Sequence, residues 1–376
     1  MKLIRTALKF MLYDKPKSLG ALMGIVISIF LIGQQSGIFI FLTNAMASLV
    51  KNNAQYIWVV DETTSNVNAL AQLDMRLARE LESIQGVKKA YPVVIAIGGA
   101  KFGNGKSSSI SLIGTQYPAF AGGPWNVIQG KPSDMLQDGA IFTDYFDTKT
   151  LGEAKVGDYF EVNGHKVYIA GQTRGVRGFG GPVYTFTTIE RARYLANLPN
   201  NKASAFLVEW DPAIGRDSVI NQINGHIYGV KAWRSEDFAF ETIMTVLKSS
   251  GIAISFGTLI VFALISGLFI IGLTLYSSAI DRIKDYGTLK AIGAKNSFVR
   301  KLIITQATIF ALIGFVLAMV LVEAFRNGIA NAGTIFNYPI YLRVSFFVIT
   351  LTMSIGGSFF AIRRITSLEP AEVFRG

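Results

Sequence analysis

Four stretches of this chain contain no Asp, Glu, Lys or Arg: residues 18–50, 249–280, 302–322 and 344–362. A bilayer core is crossed by about 20 mostly apolar residues in a helix. All four stretches reach that length or come close to it. Their interiors, such as "ALMGIVISIFLIG" and "LIVFALISGLFIIGLTL", are apolar on every side. Their glycines would weaken a soluble helix but are common in membrane ones. Hydrocarbon leaves no water for backbone amides, so each stretch is expected to be helical. The third and fourth match the bilayer. The first two exceed it, at about 1.5 Å per residue against a core of about 30 Å. The segment before the second, with Phe238, Ile243, Val246 and Leu247 at helical spacing, extends that surplus. Two long helices running beyond the membrane are therefore expected to hold the domain between them.

The chain is basic, with 36 Lys and Arg against 25 Asp and Glu, and its charges are unevenly spread. With four spans, the N-terminus, the segment 281–301 and the C-terminal tail share one side. Together they hold 14 basic and five acidic residues. The large segment 51–248 holds 20 basic and 19 acidic residues, nearly neutral. The positive-inside rule then places both termini in the cytoplasm and the large segment outside. The basicity thus records membrane orientation and does not call for nucleic acid. A cleavable signal peptide would need a shorter apolar region than residues 18–50 provide. The absence of cysteine fits an exported domain without disulfides.

The organisation follows. Residues 1–16 form a basic amphipathic interfacial helix, with Leu3, Ile4, Ala7, Leu8, Met11 and Leu12 on one face and Pro16 as its breaker. Residues 17–50 are the first span extending into a stalk, 51–240 an extracytoplasmic domain, and 241–280 stalk and second span. Residues 281–300 form a cytoplasmic loop, 301–323 the third span, 324–343 an outer loop, 344–362 the fourth span and 363–376 a cytoplasmic tail. In the large domain, 56–61 and 203–210 read as strands, while 74–84 and 214–224 read as helices. From 124 to 188, short strands alternate with Gly, Asn and Asp turns, which marks a β-rich subdomain. The fold class is an α-helical membrane protein with four transmembrane helices and an α+β extracytoplasmic domain containing a β-rich subdomain.

Catalytic signatures are missing. Gly105-Lys106-Ser107 resembles the end of a phosphate-binding loop, but Ala100 stands where its first glycine belongs, so a β-turn is expected. His165 and His226 are isolated, so no metal site is expected. No Gly-x-Ser-x-Gly is present. The run "GVRGFGGP" (175–182) follows a strand without a helix after it and reads as a mobile loop. With Arg174, Arg177 and Phe179 it offers a contact for a partner protein. Gln34, Gln35 and Ser36 interrupt the first span, and Gln306 the third. They serve either interhelical hydrogen bonding or a substrate-facing surface. Gly20-x-x-x-Gly24 and Gly33-x-x-x-Gly37 permit close helix contact.

The loop between the second and third spans is the most specific segment. Asp281-Arg282, Asp285-Tyr286-Gly287 and Lys290-Ala291-Ile292-Gly293-Ala294 form a charged, helical connector with Gly293 as its C-cap. This pattern resembles the FtsX/MacB-like permeases of ABC transporters, the group that includes LolC, LolE and DevC. The terminal Glu369-Pro370-Ala371-Glu372 and the four-span layout resemble them too. Asp replaces the family's Glu at 281 and 285, which keeps the charge. The resemblance implies a non-catalytic permease subunit in a bacterial inner membrane, acting as a dimer with two copies of a separate ATPase that binds ATP and Mg²⁺. Asp281, Arg282, Asp285, Gly287, Lys290, Ala291 and Gly293 would form the coupling helix seated on that ATPase. The permease itself would bind no cofactor. Membrane lipid, a periplasmic adaptor and an outer-membrane channel are further implied partners. The implied work is export or extraction of a lipid, lipoprotein, peptide or drug by a stalk-driven stroke. The alternative is an FtsX-like signalling device that regulates cell-wall hydrolases.

Overall fold

A computed structural model describes residues 2–13 and 15–367. The terminal motif at 369–372 lies outside them. The chain divides into two compact units. One comprises residues 1–40, 252–331 and 335–376; the other comprises 41–251 with 332–334.

The first unit is helical. It holds α1 (Lys2–Tyr13), most of α2 (Lys15–Met46), α8 (Ile252–Asp281), α9 (Ile283–Ala291), α10 (Asn296–Ala330) and α11 (Ile340–Thr366). Of these, α2, α8, α10 and α11 are long and apolar enough to cross a membrane. Lipid supplies no hydrophobic drive between such helices, so close packing of small residues holds them together. A Cβ on Gly24 would lie 2.4 Å from Ile270 Cγ2 of α8, and one on Gly33 2.6 Å from Val322 of α10. Gly314 of α10 is as tight, 2.5 Å from Ile25 of α2. Gly267 of α8 receives Ser28 of α2 and Met353 of α11. The buried hydroxyl of Ser354 on α11 donates to the Ala307 carbonyl of α10 at 2.7 Å, so it is not left unpaired in the bundle.

Three expected boundaries change. Pro16 does not end the first helix; it occupies the first turn of α2, where its missing N–H costs nothing. The third and fourth helices, 35 and 27 residues long, exceed the uncharged windows. The connector between them is accordingly shorter than 324–343. A helix does not stop at its first charge when that charge is paired. Glu323 binds Arg326 at 2.9 Å and Arg343 at 2.8 Å. The stretch 241–280 is not one helix. It divides into α7 (Ser235–Ser250) and α8 at Gly251, whose φ of 67° is left-handed and ends the first of them.

The second unit is α+β. Its strands are β1 (Ile57–Asp61), β2 (Leu73–Asp74), β3 (Val87–Lys101), β4 (Ser107–Thr115), β5 (Val127–Gln129), β6 (Ala140–Asp144), β7 (Tyr159–Val162), β8 (His165–Thr173), β9 (Val183–Thr188), β10 (Lys202–Ala203), β11 (Ala205–Trp210) and β12 (Val230–Trp233). Its helices are α3 (Ser48–Lys51), α4 (Leu77–Glu82), α5 (Ile189–Ala196), α6 (Arg216–His226) and α7. The main sheet runs β12-β1-β11-β3-β4-β9-β6-β8-β5. Strand β1 explains the run "IWVV". Ile57 and Val59 point into a core with Phe206, Leu81 and Val219, while Trp58 and Val60 point into one with Leu207 and Phe238. Both faces of β1 are covered, so all four of these residues are buried.

The 15-residue β3 joins the two halves of this unit. Its first half, to Val93, pairs with β11, and from Val94 it pairs with β4. Strand β7 then bridges β3 and β8, which closes a ring β3-β4-β9-β6-β8-β7. Closure leaves these strands no free edges. The ring is packed with Ile110, Leu112, Ile141, Phe160, Val162 and Ile169. The β-rich subdomain expected at 124–188 therefore also recruits β3 and β4. Pairing between strands distant in sequence decides this, and local texture does not reveal it.

Gly314→Leu should force α2 and α10 apart and lower the melting temperature of the detergent-purified protein, at a cost of roughly 1–3 kcal/mol. Gly328→Ala, where a Cβ meets nothing within 4 Å, should not lower it.

Candidate functional site: the charged connector

The connector between α8 and α10 is a short helix with two unlike faces. Arg282 precedes α9, and Gly293 follows it in left-handed conformation at φ 98°. The Ala294 amide returns to the Leu289 carbonyl at 2.9 Å, a closing hydrogen bond that only a left-handed residue permits. Asp285 sits in the first turn and Lys290 in the last, both favourable to the helix dipole.

The inner face anchors the connector. Tyr286 and Gly287 are buried. Tyr286 lies beside the side chain of Gln306 on α10 and packs on the Phe10 ring of α1, centroids 5.5 Å apart. Arg282, 8% exposed, places its guanidinium 4.5 Å from the Phe10 ring and 4.6 Å from that of Tyr13. Among the described residues its Nε and Nη2 have no hydrogen-bond partner, and the two aromatic faces contribute to holding this cation. Asp281 pairs with Lys17 of α2. Lys290 Nζ donates to the Thr366 carbonyl of α11 at 3.1 Å. Helix α1 is thus fixed by Ala7, Phe10 and Met11, while Ile4, Leu8 and Leu12 stay exposed for lipid.

The outer face is free for a partner. Lys284, Asp285, Thr288, Ala291, Ile292 and Gly293 are exposed, and Ile292 is 77% exposed. The seven residues singled out by sequence therefore divide. Arg282, Gly287 and Lys290 face inward, Asp281 is tied to Lys17, and Asp285, Ala291 and Gly293 face outward. Sequence reasoning passed over Lys284, Thr288 and Ile292. Their helical spacing opposite Tyr286 was the available signal.

The other candidates fall elsewhere. Gln34, Gln35 and Ser36 are half-buried on α2, and Gln306 lies beside Tyr286. The Gly-rich loop of the second unit is tethered at its start. Buried Asp144 accepts from the Val176 amide at 2.8 Å, and Arg177 pairs with Asp147 at 2.9 Å. Burial pushes the Asp147 carboxyl up to about 6, against the opposing pull of Arg177. Arg174, exposed, lies over the rings of Tyr145 and Phe146. Phe179 lines a cleft of about 500 Å³ with Ile95, Ile97 and Tyr184. Among the described residues, no three His, Asp or Glu side chains converge as a metal site.

Four helices long and apolar enough to cross a membrane, with one short charged connector between the second and third, define the helical unit. Residues 238–370, about a third of the chain, are similar to the family described as FtsX-like permease C-terminal. Two uncharacterized ABC transporter permeases of Mycobacterium tuberculosis, from strains CDC 1551 / Oshkosh and ATCC 25618 / H37Rv, are each 32% identical over 117 residues. Each match covers 30% of this chain and 31% of the relative, so the chain spans about a third of their length. The extracellular domain of YknZ, a noncanonic ABC-type transporter from Gram-positive bacteria, aligns at 14% identity and TM-score 0.36, over 47% of this chain and 98% of that one. The periplasmic region of MacB from Actinobacillus actinomycetemcomitans aligns at 12% identity and TM-score 0.37, over 54% and 98%. The α+β class of the second unit rests on its own strand order.

Replacing Arg282 by Gln and Phe10 by Leu, singly and together, should reveal a coupling of about 0.5–2 kcal/mol in a double-mutant thermal-stability cycle. A second expectation concerns Asp147. Its folded pKa is raised, so the folded state binds the proton more tightly than the unfolded chain. Stability should fall as pH rises from about 4 to about 6, and Asp147→Asn should flatten that slope in thermal scans across this range.

Proposed function

We propose that this protein is the permease subunit of an ABC-type exporter or extractor, working with an ATPase on a separate chain. The observation that carries this reading is the two-faced connector. Its inner face is bound to α1, α2, α10 and α11, so a force applied to α9 reaches each of these helices. Its outer face offers adjacent opposite charges, Lys284 and Asp285, beside a protruding apolar Ile292. That combination suits a protein partner, since apolar burial gives affinity and charge sets register. The positive-inside count places α9 in the cytoplasm, where ATP is available.

The stroke would travel along α2. This helix is unbroken from Lys15 to Met46, and its residues belong to both units. The second chain connection carries the left-handed Gly251 and serves as a hinge. The protein would thus act as a homodimer on two ATPase copies, in a bacterial inner membrane with its α+β unit outside. Export of a lipid, lipoprotein, peptide or drug is the activity this arrangement supports. A periplasmic adaptor would find exposed Arg174 on its aromatic bed.

Asp285→Lys and Ile292→Asp should each lower co-purification of the ATPase by about tenfold or more, while the permease still inserts. Undiminished association in both would overturn the docking assignment. Cysteine placed at Ser107, the exposed first residue of β4, should react with an impermeant thiol reagent added outside cells. The chain has no native cysteine to obscure the result.

A further inference from the structure

The helical unit contains a slot between α8 and α11 with a volume of about 430 Å³, within the range of small-molecule sites. The two helices meet where Gly272 and Gly357 oppose each other. A Cβ on Gly357 would lie 3.0 Å from the Gly272 nitrogen. Around that contact and onward to the helix ends nearest α9, they flank space lined by Phe269, Leu273, Tyr276 and Phe360. The mouth carries Arg363 and Arg364 in the last turn of α11. Both guanidiniums are exposed, and neither has a carboxylate partner among the described residues. Leu273 and Phe269 are themselves more than half exposed, so the slot opens sideways.

Three features point to one occupant. The lining is apolar along its length and cationic at one end only, the polarity of an anionic amphiphile. Phe269 lies twelve residues before the end of α8, about 18 Å at helical rise, close to the depth of one leaflet. The open side lies on a span long and apolar enough to face hydrocarbon. Two basic side chains at the membrane surface above an apolar slot are the chemistry that holds a phosphate headgroup and its chain. We infer that this slot binds an anionic phospholipid from the leaflet beside α9, with its phosphate on Arg363 and Arg364 and an acyl chain between Leu273 and Phe360.

The bound lipid fills the gap that the α8–α11 contact leaves open. It would set the separation of these helices next to Lys290, which is fixed to the end of α11. Lipid composition would thereby act on the connector. That last step rests on the coupling role proposed for α9; the lipid site itself does not.

The test uses the full chain purified in detergent, without any ATPase, so its result is independent of the transport reading. Native mass spectrometry would follow binding of short-chain phosphatidylglycerol, phosphatidylcholine of equal chain length, and inorganic phosphate. Phosphatidylglycerol should bind, phosphatidylcholine more weakly, and phosphate not detectably. The double variant Arg363→Gln/Arg364→Gln should lose roughly 30-fold in phosphatidylglycerol affinity, about fivefold per guanidinium. Leu273→Trp, which fills the slot, should lose at least about tenfold. Arg300→Gln, an exposed arginine on α10, should bind as the parent does. Equal binding of the two lipids, phosphate binding as tightly as lipid, or unchanged affinity in the arginine double variant would each sink the assignment. Should Leu273→Trp fail to fold, the arginine pair decides. A Leu273→Cys protein that cross-links fully between copies in the presence of lipid would give the face to a second copy instead.

Discussion

Hydrocarbon cannot hydrogen-bond a backbone amide, and the rest of this structure depends on that constraint. It fixes the four uncharged stretches as helices whatever their side chains. It also removes the hydrophobic effect as a force between them. Contact then relies on shape, and Gly24, Gly33, Gly267 and Gly314 supply it by admitting Ile270, Val322, Met353 and Ile25. The polar groups in the bundle obey the same constraint. Ser354 reaches a carbonyl, Gln306 lies beside Tyr286, and Glu323 is shared by two arginines.

The connector reverses these conditions. Charges are inexpensive there, yet Arg282 is buried against Phe10 and Tyr13, with two of its nitrogens unpaired among the described residues. A lysine would carry its charge as a compact, strongly hydrated point and fit such a sandwich poorly, whereas a planar guanidinium stacks on rings. This contact, with Lys17–Asp281 and Lys290–Thr366, turns a nine-residue helix into a fixed part of the bundle. A docking surface must be rigid if force on it is to move something else. The buried face of α9 is what would make its exposed face useful.

The α+β unit is held by different physics. Its sheet is covered on both sides around β1, and β7 closes the strands of its other half into a ring. Conserving backbone pairing there required contacts between residues far apart in sequence, such as Ala100 with Val162 and Phe142 with Phe186. Local alternation predicts each strand but not its neighbour. That is why the β-rich subdomain read at 124–188 proved to include two earlier strands.

What the sequence determined by itself was whatever depends on composition over a window. Absence of charge over 19 to 33 residues specifies a membrane-length helix. The β-branched and aromatic run "IWVV" and the glycine after Ile292 specify a strand and a helix end. The connector's pattern was legible because its residues are contiguous. Tertiary structure alone decided which of those residues point inward. Asp285 and Arg282 are both charged and three apart, yet one is exposed and the other lies under two aromatic rings from α1. Helical phase relative to a neighbour sets that difference, and the neighbour is more than 260 residues away along the chain. The slot between α8 and α11 was equally invisible, because a cavity is a property of two surfaces that only packing brings together.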